Sequence, residues 1–427
     1  MPIGHHQGSW RGTPFRAEHP GMNTWKGLAA VVLSIVAAMT PVFGVAALAT
    51  PVEHGLPVSG TVFGLILSGF FAVSALGAPL ARRVTATLSV PVVLTLINVL
   101  ATVGLVLAAL APNAAVLGVA LALAGAGNAL TQPVAGRFIA ARVPAHRLSL
   151  ASGLVSAALG VSPLLPGLLA GLVAGPHGWR AALWAALVCP VIGFAVTPLA
   201  RGPVTETVSA PSAGKSASAG KPAAVPLAGI GAVLVLWTLA AALATIGSNA
   251  MASYFIQIGT HSGMSTGLAG IMQSVAGLLA VAVRLVAGMA ADRAPRRNPA
   301  IVAGMMLAGG IGLLITSAGN PVCFVLGAVL TVAGGWGWTG LLFAAVLRVL
   351  PGDGARAGGQ VQLGLFTGAA IAPFAFGAVS GPLGLASTLL IAAVVVGLGA
   401  VAMVAGTALL SRVENPSAAK GEAAATV

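Results

Sequence analysis

Few side chains in this 427-residue chain are equipped for chemistry, and where they stand says more than how many there are. The seven acids are Glu18, Glu53, Glu206, Asp292, Asp353, Glu414 and Glu422, and none falls in the middle of an apolar run. The seven histidines, at positions 5, 6, 19, 54, 146, 177 and 261, fall in polar segments or at the ends of runs. Acid–base, nucleophilic and metal chemistry all need such groups to converge. The sequence therefore offers no enzyme site and calls for no cofactor and no metal. What the apolar runs do hold is neutral polarity. Asn128 and Gln132 are one helical turn apart and share a face beside Pro133. Asn249, Gln273, Gln362 and Thr40, which precedes Pro41, are further candidates, as are Trp336 and Trp338 in GGWGWTG. Amides and indoles at such depth can hold a solute, or tie one helix to the next.

The cations cluster. Residues 284–297, RLVAGMAADRAPRR, contain Arg284, Gly288, Asp292, Arg293, Arg296 and Arg297 between two apolar runs. A worn copy stands at Gly77, Leu80, Ala81, Arg82 and Arg83, and Gly77 and Gly288, like Arg82 and Arg293, are 211 positions apart. Glycine allows close helix approach, Asp292 can cap the next helix or accept from arginine, and the cations suit a charged leaflet. Arg284, one turn before Gly288, can carry its charge back to the surface on its long stem as part of this group, or face a cavity between the helices. Glu53 with His54 is the one acid–histidine pair beside an apolar run, and so the candidate for any proton coupling.

The elements that position these residues follow from composition. At 58% hydrophobic and 6% charged, with mean hydropathy +1.01, the chain is an integral membrane protein. Apolar runs fall at about 27–50, 60–81, 89–111, 114–140, 148–174 and 179–200, then at about 227–256, 266–291, 299–318, 320–347, 357–381 and 384–411. Each is close to or above the ~20 residues that cross a bilayer as helix. With the N-terminus inside, nineteen of the twenty Lys and Arg residues are cytoplasmic and only Arg180 is outside, which supports span count and orientation together. The expected organisation is a disordered cytoplasmic tail at 1–26, a six-helix bundle at 27–200, a Ser/Ala/Gly/Pro-rich linker at 201–226, a second bundle at 227–411 and a tail at 412–427. The net charge of +13 is placed on the membrane by this topology, which removes nucleic acid as a partner. Cys189 and Cys323 lie inside apolar runs and read as small buried hydrophobes.

The pattern from Gly288 to Arg297, with its copy at Gly77 to Arg83, resembles the signature loop of the major facilitator superfamily of transporters. The GWR at 178–180 is similar to a feature of that family. The stretches GWGWTGLLFAAVLR and RVPAHRLSLASG look most like cyanate or nitroimidazole transporter relatives within it. Ala81 stands where the second copy has Asp292, and no arginine lies within the fourth run, so this chain departs from the family at both places. The resemblance implies an all-α membrane protein of twelve transmembrane helices in two six-helix, pseudo-symmetric bundles. It further implies alternating access to a cavity lined by the first, fourth, seventh and tenth helices. The expected activity is secondary transport of a small neutral or anionic solute by a monomer in the plasma membrane. Efflux of hydrophobic compounds is the alternative, and a receptor or scaffold without transport is the alternative of another class. With no acid at mid-membrane, transport is expected to be facilitated or exchange-driven, or to draw on Glu53 and His54.

Overall fold

The computed structural model describes residues 22–144, 147–201, 227–293, 297–349 and 354–414. Backbone N–H and C=O groups find no water in a bilayer core, so an apolar chain satisfies them internally as helix. The first half contains α1 (Met22–Ala47), α2 (Gly60–Thr87), α3 (Val90–Leu110), α4 (Ala114–Arg142), α5 (Ala151–Leu172) and α6 (Ala174–Ala200). The second contains α7 (Leu227–His261), α8 (Thr266–Arg293), α9 (Asn298–Thr316) and α10 (Pro321–Val346). A last continuous stretch, Gly354–Glu414, turns at Gly384 and so supplies α11 (354–383) and α12 (385–414). These are the twelve expected helices.

The two halves repeat each other in detail. Gly178 and Gly384 are 206 positions apart and have φ/ψ of 83°/163° and 76°/164°, a conformation that glycine adopts at no steric cost. Each makes the corner that folds one helix back along its predecessor. Helix starts match too. Ser59 accepts from the backbone of Val62 at 3.3 Å and Ser265 from that of Leu268 at 3.2 Å, while Asn113 and Asn320 accept from Val116 and Cys323 at 3.0 and 2.9 Å. All four cap even-numbered helices at the same face of the molecule. The opposite ends carry Arg82, Arg83, Arg137, Arg142, Arg201 and Arg297, and this is called the arginine-rich face below. On the far face, among the described residues, Arg180 stands alone. It lies 4.1 Å from the Trp179 ring centroid and donates to the Ala111 carbonyl at 3.0 Å.

Three sequence expectations need correcting. The stretch from Gly77 to Arg83 is not a loop, because α2 runs on to Thr87, with Arg82 and Arg83 exposed on its final turns and Gly77 against Ala129 of α4. The first apolar run does not continue unbroken to residue 50: α1 stops at Ala47 and a separate short helix, Ala49–Gly55, carries Glu53 and His54. The N-cap position of α9 is Arg297, without a side-chain cap. Gly288, Asp292 and Arg293 lie on the last turns of α8, but their side chains are outside the described residues, as is Arg296 altogether. The N-terminal tail up to residue 21, the linker from 202 and the tail from 415 are outside them too.

The halves meet along two helix crossings built from glycine. A Cβ placed on Gly167 of α5 would stand 2.6 Å from the Gly270 carbonyl oxygen of α8, and one on Gly277 would stand 2.7 Å from that of Gly160. A Cβ on Gly64 of α2 would press still closer on the Pro373 carbonyl oxygen of α11, and one on Gly377 of α11 on the carbonyl oxygen of Gly60. Two bonds cross at these places, from Ser274 Oγ to the Leu164 carbonyl at 2.8 Å and from the Phe374 amide to Ser68 Oγ at 2.9 Å. Both crossings seal the far half of the molecule. Between the bundles, toward the arginine-rich face, a cavity remains.

Candidate functional site

The cavity, of about 170 Å³, suits a metabolite-sized solute and is lined from both halves. Its apolar wall includes Met39, Phe43 and Phe71 on one side and Phe255 and Phe366 on the other. The lining continues toward the arginine-rich face through Gln132, Phe343 and Gln362.

Prolines place several of its polar groups. Pro373 has no N–H, which leaves the Ala369 carbonyl in α11 without its helical donor. Asn249 Nδ2 from α7 donates to that oxygen at 2.9 Å. In α4 the helix breaks at Leu130, just before Pro133, and Thr131 Oγ1 donates to the Asn128 carbonyl at 2.7 Å. The break presents Asn128 and Gln132 at the cavity, with Asn128 Nδ2 on Ser74 Oγ of α2 at 3.1 Å. In α10, the glycine-rich stretch passes through a π-turn, Leu330–Gly334. Such turns displace the following side chains from regular helix positions. The next residues clasp α7: Ser248 Oγ donates to the Gly335 carbonyl at 2.8 Å, and Trp336 Nε1 donates to the Ser248 carbonyl at 3.1 Å.

Among the described residues, Arg284 is the only charged one on the cavity wall, and no carboxylate of theirs faces it there. Its Nε donates to the Trp336 carbonyl at 3.1 Å and its Nη1 to the Ser156 carbonyl of α5 at 2.7 Å, with the guanidinium carbon 5.9 Å from the Trp336 ring centroid. The expectation that Arg284 belongs to the surface cluster is therefore corrected. It is nine residues of helix above Arg293, about 13 Å at 1.5 Å per residue, and its head bonds inside the protein instead of reaching the surface. A lone cation deep in an apolar run, with no acid one turn away, was the available signal.

Of the other sequence candidates, Asn128, Gln132, Asn249, Gln273, Gln362 and Trp336 line the cavity. Thr40 and Trp338 do not. Thr40 Oγ1 turns back on its own helix, donating to the Val36 carbonyl at 2.8 Å, while Trp338 is fully buried among Trp237, Met306 and Leu342 of the second bundle. Their indole and hydroxyl serve packing, because successive positions on a helix point 100° apart and Trp336 already takes the cavity direction. Thr339 of the same GGWGWTG stretch is on the wall, as are Ser156 and Thr245, which were not singled out because hydroxyls in apolar helices ordinarily bond their own backbone. Glu53 and His54 are remote from the cavity. They cap its far side, where Gln257 Nε2 of α7 lies 3.4 Å from Glu53 Oε2. Burial raises the Glu53 pKa above its usual value, against the lowering influence of His54 and of the Gln257 bond.

Two six-helix halves, related by repeat and enclosing one polar-spotted cavity, define a membrane transporter of the alternating-access kind. The chain belongs to the major facilitator superfamily: the family model described as Major Facilitator Superfamily matches residues 28–373. No curated protein matches it. Among solved structures, a bacterial homolog of the human lysosomal transporter Spinster, in an inward-facing and unoccupied conformation, is 14% identical with a TM-score of 0.71, covering 92% of this chain and 98% of that one. A D-xylose–proton symporter is likewise 14% identical with a TM-score of 0.71, over 89% of this chain and 97% of its own. The xylose transporter XylE from E. coli, partially occluded and inward open, is 13% identical with a TM-score of 0.70, over 89% and 98%. At these identities the likeness is one of fold.

Proposed function

We propose that the protein carries a small anionic solute across the plasma membrane by alternating access, as a monomer with both termini in the cytoplasm. The observation that carries the choice of an anion over a neutral solute is Arg284, the single charge on the cavity wall among the described residues. A half-buried guanidinium held by two carbonyls keeps its positive charge without a carboxylate partner among the described residues, and a negative solute completes it. Efflux of hydrophobic compounds is the weaker reading, because an apolar solute would leave that charge and the side-chain oxygens of Asn128, Asn249 and Gln273 unpaired. A receptor or scaffold has no use for a cavity that spans both bundles between glycine-sealed crossings.

In this reading the moving bodies are residues 27–200 and 227–411, and the arrangement described is the inward-facing one, sealed at α2–α11 and α5–α8. The arginine clusters from Arg82 and from Arg293 close the cytoplasmic side in the opposite state. Glu53 and His54 are the coupling candidates where a proton is carried. The deciding experiment is flux of labelled anions and of neutral solutes of equal size into proteoliposomes of the purified chain, with Arg284→Gln alongside. Saturable anion flux that the substitution abolishes supports the reading. Equal flux of neutral solutes in both proteins removes it.

A further inference from the structure

The amides on the cavity wall carry information beyond the sign of the solute's charge. The Ala369 carbonyl can only accept, so Asn249 must present Nδ2 to it and keep Oδ1 free. The one hydroxyl hydrogen of Ser74 is directed at the carbonyls of Phe70 and Gly125, at 2.8 and 2.9 Å, so its oxygen accepts from Asn128 Nδ2 and leaves Asn128 Oδ1 free in the same way. These two oxygens and Oε1 of Gln273 are buried, and none receives a donor among the described residues. Asn128, Asn249 and Gln273 are 4%, 0% and 4% exposed, and all three line the cavity that holds Arg284. Among the described residues, those of the wall thus bring together one cation and three acceptors that lack donors and lie just behind its surface.

We infer that the solute is a small organic monoanion that brings its own hydroxyl groups, of the hydroxycarboxylate type. Its carboxylate pairs with Arg284, which commits Nε to Trp336 and one N–H of Nη1 to Ser156 and has three further N–H groups. Its hydroxyls donate to the oxygens of Asn128, Asn249 and Gln273, and its C–H faces lie against Phe43, Phe71 and Phe255. Each competing class leaves something unmatched. An anion without donors strands the three oxygens, a polyol strands the cation, and a solute bearing an ammonium group finds no carboxylate among the described residues of the wall. Selectivity is strongest where a wrong ligand leaves buried polar groups without partners. This inference rests on the anion reading above and narrows it.

The test uses the full-length protein in proteoliposomes, with protein-free vesicles subtracted. The solutes are glycerate and gluconate, their deoxy partners propionate and hexanoate, their neutral partners glycerol and sorbitol, and nitrate as an anion without donors. At least one hydroxycarboxylate is expected to enter about ten times faster than its deoxy and neutral partners. Gln273→Met, which keeps length and removes the acceptor, is expected to lower the hydroxy-to-deoxy ratio severalfold. If that variant does not fold, the wild-type panel alone decides. Equal entry of hydroxylated and deoxy acids overturns the inference, as does flux of nitrate or the deoxy acids with none of either hydroxycarboxylate. In both of those cases anion transport itself stands. Polyols entering as fast as the acids, or no flux of any solute in the panel, overturns the anion reading as well.

Discussion

Nη1 of Arg284 donates to the Ser156 carbonyl at 2.7 Å, and this bond joins α8 of the second bundle to α5 of the first. Together with the Nε bond to Trp336, it makes the one charge that the described residues place on the cavity wall part of the contact between the two bundles. A solute can shift a conformational equilibrium only by binding its states unequally. An anion that recruits this guanidinium competes with the Ser156 carbonyl, and so acts on the bundle contact as it binds. Recognition and movement meet at one side chain.

Arg284→Gln is therefore expected to reduce kcat/KM for the anionic solute by about 10- to 100-fold, the loss of one charge-assisted hydrogen bond at ~1.5–3 kcal/mol. Arg284→Lys keeps the charge but not the fork that spans Trp336 and Ser156, and is expected to recover binding more than turnover. Uptake kinetics of the two variants give the comparison. Lysine as active as arginine in both constants would show that only charge matters.

The glycine crossings make a second expectation. Gly270→Val places branched carbon where the Gly167 backbone stands, so α5 and α8 are forced apart on the far face. The sealed arrangement is disfavoured and a far-face-open one populated. A cysteine introduced at Gln257, in a background lacking Cys189 and Cys323, reports this by faster reaction with a membrane-impermeant maleimide. An unchanged labelling rate in a folded variant would mean that the crossing does not hold the seal.

Much of this architecture was legible in the sequence because membrane physics leaves few choices. Run length and cation asymmetry gave the helices, and the offset that pairs Ser59 with Ser265 reappears in the corners at Gly178 and Gly384. The amides of the cavity were also legible, since polar side chains in apolar runs are rare. What escaped was direction. Trp338 and Trp336 are two residues apart, and only the π-turn before them decides which indole meets the cavity. For Arg284 the surface reading was favoured over the cavity because a long stem can reach the surface from one or two turns down, and the carbonyls of Trp336 and Ser156 that hold it inside come from sequence positions 52 and 128 residues away. Such long-range partners have no local signature.

The amides separate into structural and solute-facing roles. Asn249→Ala leaves the Ala369 carbonyl, already deprived of its helical donor by Pro373, without any donor. It is expected to cost folded yield and about 1–3 kcal/mol of stability. Gln273→Ala removes an oxygen that nothing else uses. It is expected to weaken apparent affinity by about 0.5–2 kcal/mol at normal yield. Detergent melting curves beside uptake KM values distinguish the two, and the same profile for both variants would dissolve the distinction.

The last expectation concerns pH and the far-face cap. Glu53, half-buried on the short helix Ala49–Gly55, reaches Gln257 of the second bundle, and its Oε1 is buried without a donor among the described residues. Desolvation is the largest influence on it and raises its pKa from 4.5, while His54 and the Gln257 bond oppose the shift. A raised pKa means that the capped state holds its proton more tightly than a state in which Glu53 is solvated. Linkage then sets the sign: the contribution of Glu53 to the cap is fully present below about pH 4.5, the value for a solvated carboxyl, and is lost as pH rises through the raised value. Acidification should slow labelling of the Gln257→Cys reporter once the thiolate fraction is corrected for, but that reporter removes the partner. A cysteine at Gly60, beside Glu53 Oε1, serves better and keeps Gln257 in place. Glu53→Gln, permanently neutral, should show at every pH the slow labelling that wild type shows only in acid. A wild-type rate with no pH dependence beyond the thiol's own ionisation would remove Glu53 as a gate and, with it, as a carrier of coupled protons.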